Sequence, residues 1–348
     1  MKSGLYNPYF DSLGGGERYT LTLASHWSKQ HDVDLFWSDF GLLDKAQKRF
    51  NLDLSRVHVV EDVFKTRNLF TKLVVSRKYD CIFFLTDGSV PTSLATFNIL
   101  HFQVPFAHVN ANPLALARMT HIVCNSMYTV DHIDSRLRKR ASVIYPPVSQ
   151  VPSQNMKKKK VILSVGRFTP VHQAKKQLIM IEAFIEMEKR IPDWTLVLAG
   201  GLLSRDAEYL LELKTKAAGH QIVIQENISY EALLEAYQTA TLYWHAAGFG
   251  ESDPMYHEHF GITTVEAASA GAVPLVYAGG GQKEIIRDGV NGLLWNTPLE
   301  LIEKTLSVIA DSDAYASLQK EARLTWKRSS TQTFERSYDA LLASFIKS

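Results

Sequence analysis

Cysteine is scarce in this sequence: 348 residues hold two, Cys81 and Cys124. Both sit inside apolar runs, YDCIFFL and HIVCNS. Buried thiols in a reducing cytoplasm fit that setting; a disulfide scaffold or a cysteine metal site does not. An excess of one charge is also lacking. The formal net charge is +2, far from the basic profile of a dedicated nucleic-acid binder, so no nucleic-acid partner is expected. No apolar run approaches the length that crosses a bilayer. The start, MKSGLYNPYFDSLGGG, lacks the apolar core and cleavage site of a secretory signal, so a cytoplasmic location is expected. The G-x-G-x-x-G fingerprint of dinucleotide enzymes is missing too.

What is present reads as a globular α/β protein. Hydrophobic residues make up 46% and charged residues 21%, and the length suits about two domains. Short apolar runs alternate with helical patterns. Strands are expected at SGLYNPY, VDLFW, RVHVV, CIFFLTD, ILHFQV, HIVCN and SVIYPP. A second series is VILSVG, TLVLAGG, IVIQEN, TLYWHA, VPLVYAG and GLLW. Several are continuously apolar, which fits parallel strands covered on both faces by helices. Alternation of strand and helix implies doubly wound sheets. The pattern breaks at YPPVSQVPSQNMKKKK, Tyr145 to Lys160, which reads as a linker. Its Lys157 to Lys160 run reads as a solvated charge run. The expected divisions are a first Rossmann-like domain over 1–150, a second over 151–327, and a closing amphipathic helix over 328–348. A cleft between two such sheets is the expected ligand site.

The stretch EHFGITTVEAASAGAVPLVYAGGG carries the chemistry. Thr263 to Glu266 has the spacing of a capping box, so a helix is expected to start near Gly261 to Thr264. Gly271 can close it in a left-handed cap, with Pro274 beyond. The free amides at its start favour an anion, and Gly261 lets a ligand approach the backbone. On spacing alone, a capping Glu266 and a solvated Glu258 explain the pattern as well as a binding site does.

EHFGITTVEAASAGAVP followed by GGGQKEIIRDGVNGLL resembles the retaining glycosyltransferases of family four, which have the GT-B fold. SLGGGERY looks like their glycine-rich loop, and SVGRFTPVHQAKKQLIMIEAF like their arginine–lysine segment. CNSMYT and IYPPV match as well, so the likeness runs along nearly the whole chain, and it implies that the closing helix returns to brace the first domain.

The resemblance implies roles. Glu258 would contact hydroxyls of a donor sugar, and Glu266 ribose hydroxyls of its nucleotide; carboxylates accept such bonds well. Amides near Phe260, Gly261 and Ile262 would meet sugar or diphosphate. Arg167 and Lys175 match the two cations that neutralise the departing diphosphate without a metal. Their connecting loop is longer than is common, and Lys176 stands in reserve. Gly14, Gly15 and Gly16 would admit phosphate at a helix start, although a tight strand–helix turn explains them too. His101 would face the sugar; a buried, hydrogen-bonded histidine explains it equally. The base would rest around Asn227 and Ile228.

The implied reaction moves a hexose from a sugar nucleotide to a hydroxyl with retention, without cofactor or metal. The segment is similar to mannosyltransferases that use GDP-mannose on lipid-linked glycans. UDP-glucose or UDP-N-acetylhexosamine donors, an epimerase and a non-catalytic sugar-nucleotide binder stay open. The acceptor is expected to be a glycan or a lipid-linked molecule. Phe64 to Lys78 mixes Phe64, Leu69, Phe70, Leu73 and Val74 with five basic residues, and Arg136 to Arg140 adds more. Such a segment can lie on an anionic membrane, and an ordinary exposed helix is the alternative. His257-Glu258-His259 lacks zinc spacing, and Asp32-Val33-Asp34 reads as a turn before a strand.

Overall fold

The computed structural model describes residues 1–11, 14–66, 68–152, 156–171 and 174–346. Ser12 and Leu13 of SLGGGERY, Arg67 of the basic segment and 153–155 of the linker lie outside them. So do His172 and Gln173 of the Arg167–Lys175 loop, and the last two residues of the closing segment.

The chain divides into two units, one of 1–147 with 331–348 and one of 148–330. These divisions stand three residues from each expected one. The first unit holds β1 (Lys2–Tyr6), β2 (Asp32–Phe36), β3 (Val57–Val60), β4 (Cys81–Leu85), β5 (Phe97–Phe102), β6 (His121–Cys124) and β7 (Ala141–Val143). They form one parallel sheet in the order β3-β2-β1-β4-β5-β6-β7. Adjacent residues of one strand enter opposite cores. Leu5, Leu35 and Phe83 pack with Tyr19 and Trp27 on one face. Tyr6, Phe36 and Phe84 pack with Phe64 and Phe102 on the other. Two covered faces explain why the runs are apolar without alternation. The helix Thr331–Ile346 belongs to the first core through Phe334, Tyr338, Leu341 and Leu342.

The second unit holds β8 (Lys159–Val165), β9 (Thr195–Gly200), β10 (Ile222–Glu226), β11 (Ala240–His245), β12 (Val273–Tyr277) and β13 (Leu293–Trp295). Their parallel order is β10-β9-β8-β11-β12-β13. The chain winds outward from β8 in one direction and from β11 in the other. Ligands of open α/β sheets bind beyond the strand ends at such a reversal. The residues that follow β8 and β11 include Arg167, Lys175 and Glu258.

Four expectations change. Asp32–Asp34 is not a turn but the start of β2. Asp34 is buried there because Lys2 lies 3.1 Å away and the Tyr79 hydroxyl donates to it at 2.6 Å. The lysine run is not uniformly solvated. Lys158 is half-buried and donates to the Ala270 carbonyl at 2.9 Å, and burial pushes its ammonium down to about 7. The linker is partly built into the second unit: Val148 and Val151 are buried there, and Lys159 and Lys160 belong to β8. The capping box at Thr263 and Glu266 does not form. The helix runs Ile262–Ser269 with Gly261 as its N-cap at φ 114°, where no side chain caps it. Its C-terminus follows the expected pattern. Gly271 has φ +81°, its amide reaches Ala268, and the Ala272 amide reaches Ala267, a Schellman closure.

Candidate functional site

Glu258 precedes the Ile262–Ser269 helix. Lys175 Nζ donates to its Oε2 at 2.5 Å. His245, the last residue of β11, places Nε2 3.0 Å from the same oxygen. The Lys175 and Glu258 side chains are only 20% and 16% exposed. Burial alone would raise the Glu258 carboxyl, but the Lys175 charge and the His245 hydrogen bond outweigh it and hold it well below the usual carboxylate range. An ionised Oε2 has no proton to give, so the His245 Nε2–H is the donor. Burial pushes the His245 imidazole down, against the raising contact with Glu258. Among the described residues no hydrogen bond reaches Glu258 Oε1.

The backbone around Glu258 is held by glycines. Gly280 has φ +61°, and a Cβ there would lie 2.1 Å from the Glu258 carbonyl oxygen. The Gly281 amide donates to that oxygen at 2.8 Å. The glycine run thus lets the loop after β12 lie directly on the Glu258 backbone. Gly261 needs its positive φ to open the helix, and Gln282 packs where its side chain would be. Phe260 and Gly261 are buried and Ile262 is half-buried. The amides of Ile262 and Thr263 meet no acceptor among the described residues. Such orphan donors, at the positive end of a helix, suit an anion.

Arg167 follows β8 and is exposed, and its guanidinium has no partner among the described residues. Its carbonyl accepts from buried Gln177 Nε2 at 3.0 Å, and Tyr209 holds Gln177 in turn at 3.1 Å. The Lys175 side chain lies against Gly166, where a Cβ would come within 2.5 Å of it. Lys176 turns elsewhere. It caps the Gln177–Met187 helix at φ 55° and pairs with Glu251 at 2.5 Å. Glu266 Oε2 accepts from the buried Tyr237 hydroxyl at 3.1 Å. Asn227, at φ 53°, spends its side-chain oxygen on the Leu202 amide, and Ile228 packs on the sheet.

In the first unit, Gly15 opens the helix Gly15–Trp27 with Gly14 as its N-cap. Glu17 reaches back to the Gly14 amide at 2.5 Å. Gly16 lies beside Leu85 and Gln103. His101 is fully buried, stacked 4.1 Å from the Tyr19 ring, with Nε2 2.9 Å from Gln103 Oε1. Burial pushes its imidazole down to about 4. Gln103, half-buried at the end of β5, is the polar group nearer solvent.

Residues 149–325 match the family model described as Glycosyl transferases group 1. The chain belongs to the group 1 glycosyl transferases. Its relatives include the GDP-Man:Man(3)GlcNAc(2)-PP-Dol alpha-1,2-mannosyltransferase of Dictyostelium discoideum, 26% identical over 234 residues. That match covers 62% of this chain and 46% of the relative. The alpha-1,3/1,6-mannosyltransferase alg2 of Schizosaccharomyces pombe is 25% identical over 295 residues, covering 71% of this chain and 54% of that one. The chain therefore spans about half the length of the curated relatives it matches. A crystal structure of a glycosyltransferase from Rickettsia africae superposes with a TM-score of 0.79 at 18% identity, over 99% of this chain and 98% of that chain. The fold is GT-B.

Within this glycosyl transferase the structure gathers Lys175 and Glu258, and places both beside the strand end that carries Arg167. It leaves Lys176 with Glu251 and encloses His101. Sequence reasoning missed His245, Gln177, Glu251, Tyr237 and Gln282. His245 had one readable signal, a lone ionisable residue ending the apolar strand TLYWH. Gln177 and Tyr237 had none, since their bonds to the Arg167 carbonyl and to Glu266 are set by tertiary packing and not by a motif.

Proposed function

We propose that this glycosyl transferase moves mannose from GDP-mannose to a hydroxyl of a lipid-linked glycan, with retention of the anomeric configuration. The observation that carries the reading is Glu258. It is an ionised, nearly enclosed carboxylate with one oxygen held by Lys175 and His245 and the other unbonded among the described residues. A sugar hydroxyl is the donor such an oxygen suits. The relatives' printed activities support mannose, guanosine and a lipid-linked acceptor.

The difficulty of the reaction is the charge that grows on the departing nucleoside diphosphate. Fixed cations and amides stabilise it where water is excluded. Arg167 and the amides of Ile262 and Thr263 supply these, and Lys175 is shared between Glu258 and the diphosphate. Glu266, steadied by Tyr237, would take the ribose hydroxyls, and the base would lie near Asn227 and Ile228. The departing phosphate would remove the acceptor proton on the front face of the sugar. His101 and the Gly14–Gly16 turn would serve the acceptor side, with Gln103 making the contact. No cofactor or metal enters the scheme.

The membrane is a proposed partner, at its cytoplasmic face. In the helix Leu69–Ser76, Phe70 is 74% exposed, Leu69 53% and Val74 45%. No acidic residue lies between Lys65 and Lys78. Phe64 leaves this face, because it is buried in the core. Arg136, Arg138 and Arg140 are also spent: the first pairs with Asp134, and the others donate to the carbonyls of Ile133, Met119 and Leu116. Among the described residues no helix is long and apolar enough to cross a membrane.

The test is release of GDP from GDP-mannose, followed with and without a polyprenyl-diphosphate glycan. Acceptor-dependent release that Glu258→Ala abolishes supports the reading. Release from UDP-glucose alone would reassign the donor, and binding without turnover would make the chain a sugar-nucleotide binder.

A further inference from the structure

Among the described residues, His245 is the side-chain partner of Glu258 that is rooted in the sheet. It closes β11, which pairs with β8 on one side and β12 on the other, where His245 registers with Val276. It is 2% exposed, so its ring has no freedom toward solvent. Lys175 comes from the loop that precedes the Gln177–Met187 helix, and it bonds the same oxygen. In the proposed reaction Lys175 must also serve the diphosphate. A carboxylate held by that lysine alone would lose its anchor as the lysine turned.

We infer that His245 is a positioning residue for the donor sugar: its Nε2–H fixes Glu258 Oε2, so that Oε1 stays presented to the sugar hydroxyls. This rests on the reading of Glu258 as the sugar-binding carboxylate. The imidazole suits the task because it donates one directed bond to a charged acceptor from a ring fixed in the sheet. A second cation in its place would compete with Lys175 and draw the diphosphate toward the sugar contact. Glu258 is then oriented by the sheet and neutralised by the loop, two jobs on two residues.

The inference separates sugar from nucleotide. The full chain is titrated calorimetrically with GDP-mannose and with GDP, as wild type, His245→Met, His245→Gln and Glu258→Gln. His245→Met should lower affinity for GDP-mannose about ten- to hundredfold, the effect of a lost hydrogen bond to a charged group. It should leave affinity for GDP unchanged, since GDP has no sugar to meet Glu258. His245→Gln, which restores a donor, should recover much of the loss. If His245→Met does not fold, His245→Leu is read in the same way. Equal losses for GDP and GDP-mannose would show a merely structural role and overturn the inference. So would full GDP-mannose affinity in His245→Met alongside a loss in Glu258→Gln. If the reading of the site itself is wrong, Glu258→Gln changes neither affinity, which distinguishes the two failures.

Discussion

Glu258, Arg167 and Lys175 were legible because each lies in a contiguous motif. Their mutual arrangement was not. Lys175 and Glu258 are 83 residues apart, and only the winding of the second sheet brings them together. His245 carried the signal of an ionisable residue ending an apolar strand, but its contact with Glu258 depends on how the loop after β11 folds back. The local rule also misled once: Thr263 and Glu266 have capping spacing, but the positive φ of Gly261 starts the helix earlier, and their side chains go to Tyr243 and Tyr237. Two predictions belong to single residues. Glu258→Gln removes the charge that offsets Lys175, so transfer should fall about a hundredfold or more, read as kcat/KM. Unchanged turnover would contradict the role. Arg167→Ala should weaken GDP binding as well as rate, read by calorimetry. A third concerns His101 and His259, which burial holds at about 4 against an ordinary 6.5. The unfolded chain binds more protons between those values, so stability falls as pH drops from 6.5 toward 4. The loss is up to about 3 kcal/mol for each histidine. Urea midpoints at pH about 7 and about 4.5 measure it, and equal midpoints would contradict it.

The strands were the most legible elements. All the expected runs contain strands, and the central ones were plain because a segment covered on both faces must be apolar at every position, as Leu5–Tyr6 and Phe83–Phe84 show. Their ends were less legible. SGLYNPY stops being strand at Tyr6, and Asn7 turns inward to bond Thr20. Asp32–Asp34 was misread because two acids look like a turn until Lys2 and Tyr79 are seen beside Asp34. The glycine loop after β12 carried no assigned role in the sequence, and in the structure Gly280 is pressed against Glu258. Gly280→Ala should therefore cost about 1–3 kcal/mol through strain and close contact, and displace Glu258. The readout is a fall in Tm accompanied by weaker GDP-mannose binding. A variant with normal Tm and affinity would show that the approach is not tight.

For the molecule as a whole, two doubly wound sheets followed from the order of runs, and membership of the group 1 glycosyl transferases follows from the family match. The closing helix was assigned to the first domain from the fold's resemblance, and Phe334 and Tyr338 place it in that core. The lysine run and the arginines of SRLRKR show the limit of composition: charge in a sequence does not say which groups cap carbonyls. Among the described residues of the two expected basic segments, Leu69, Phe70 and Val74 with their basic neighbours remain as the proposed membrane face. Flotation with anionic liposomes at low salt should recover the chain with the vesicles, and Phe70→Asp should release it. Recovery in the soluble fraction alone would reject the contact. The most direct test of the account is a crystal structure of the full chain with GDP-mannose. The account predicts the diphosphate on Arg167, Lys175 and the amides of Ile262 and Thr263, with a sugar hydroxyl on Glu258 Oε1. Nucleotide bound away from the start of the Ile262–Ser269 helix, with Glu258 untouched, would contradict it.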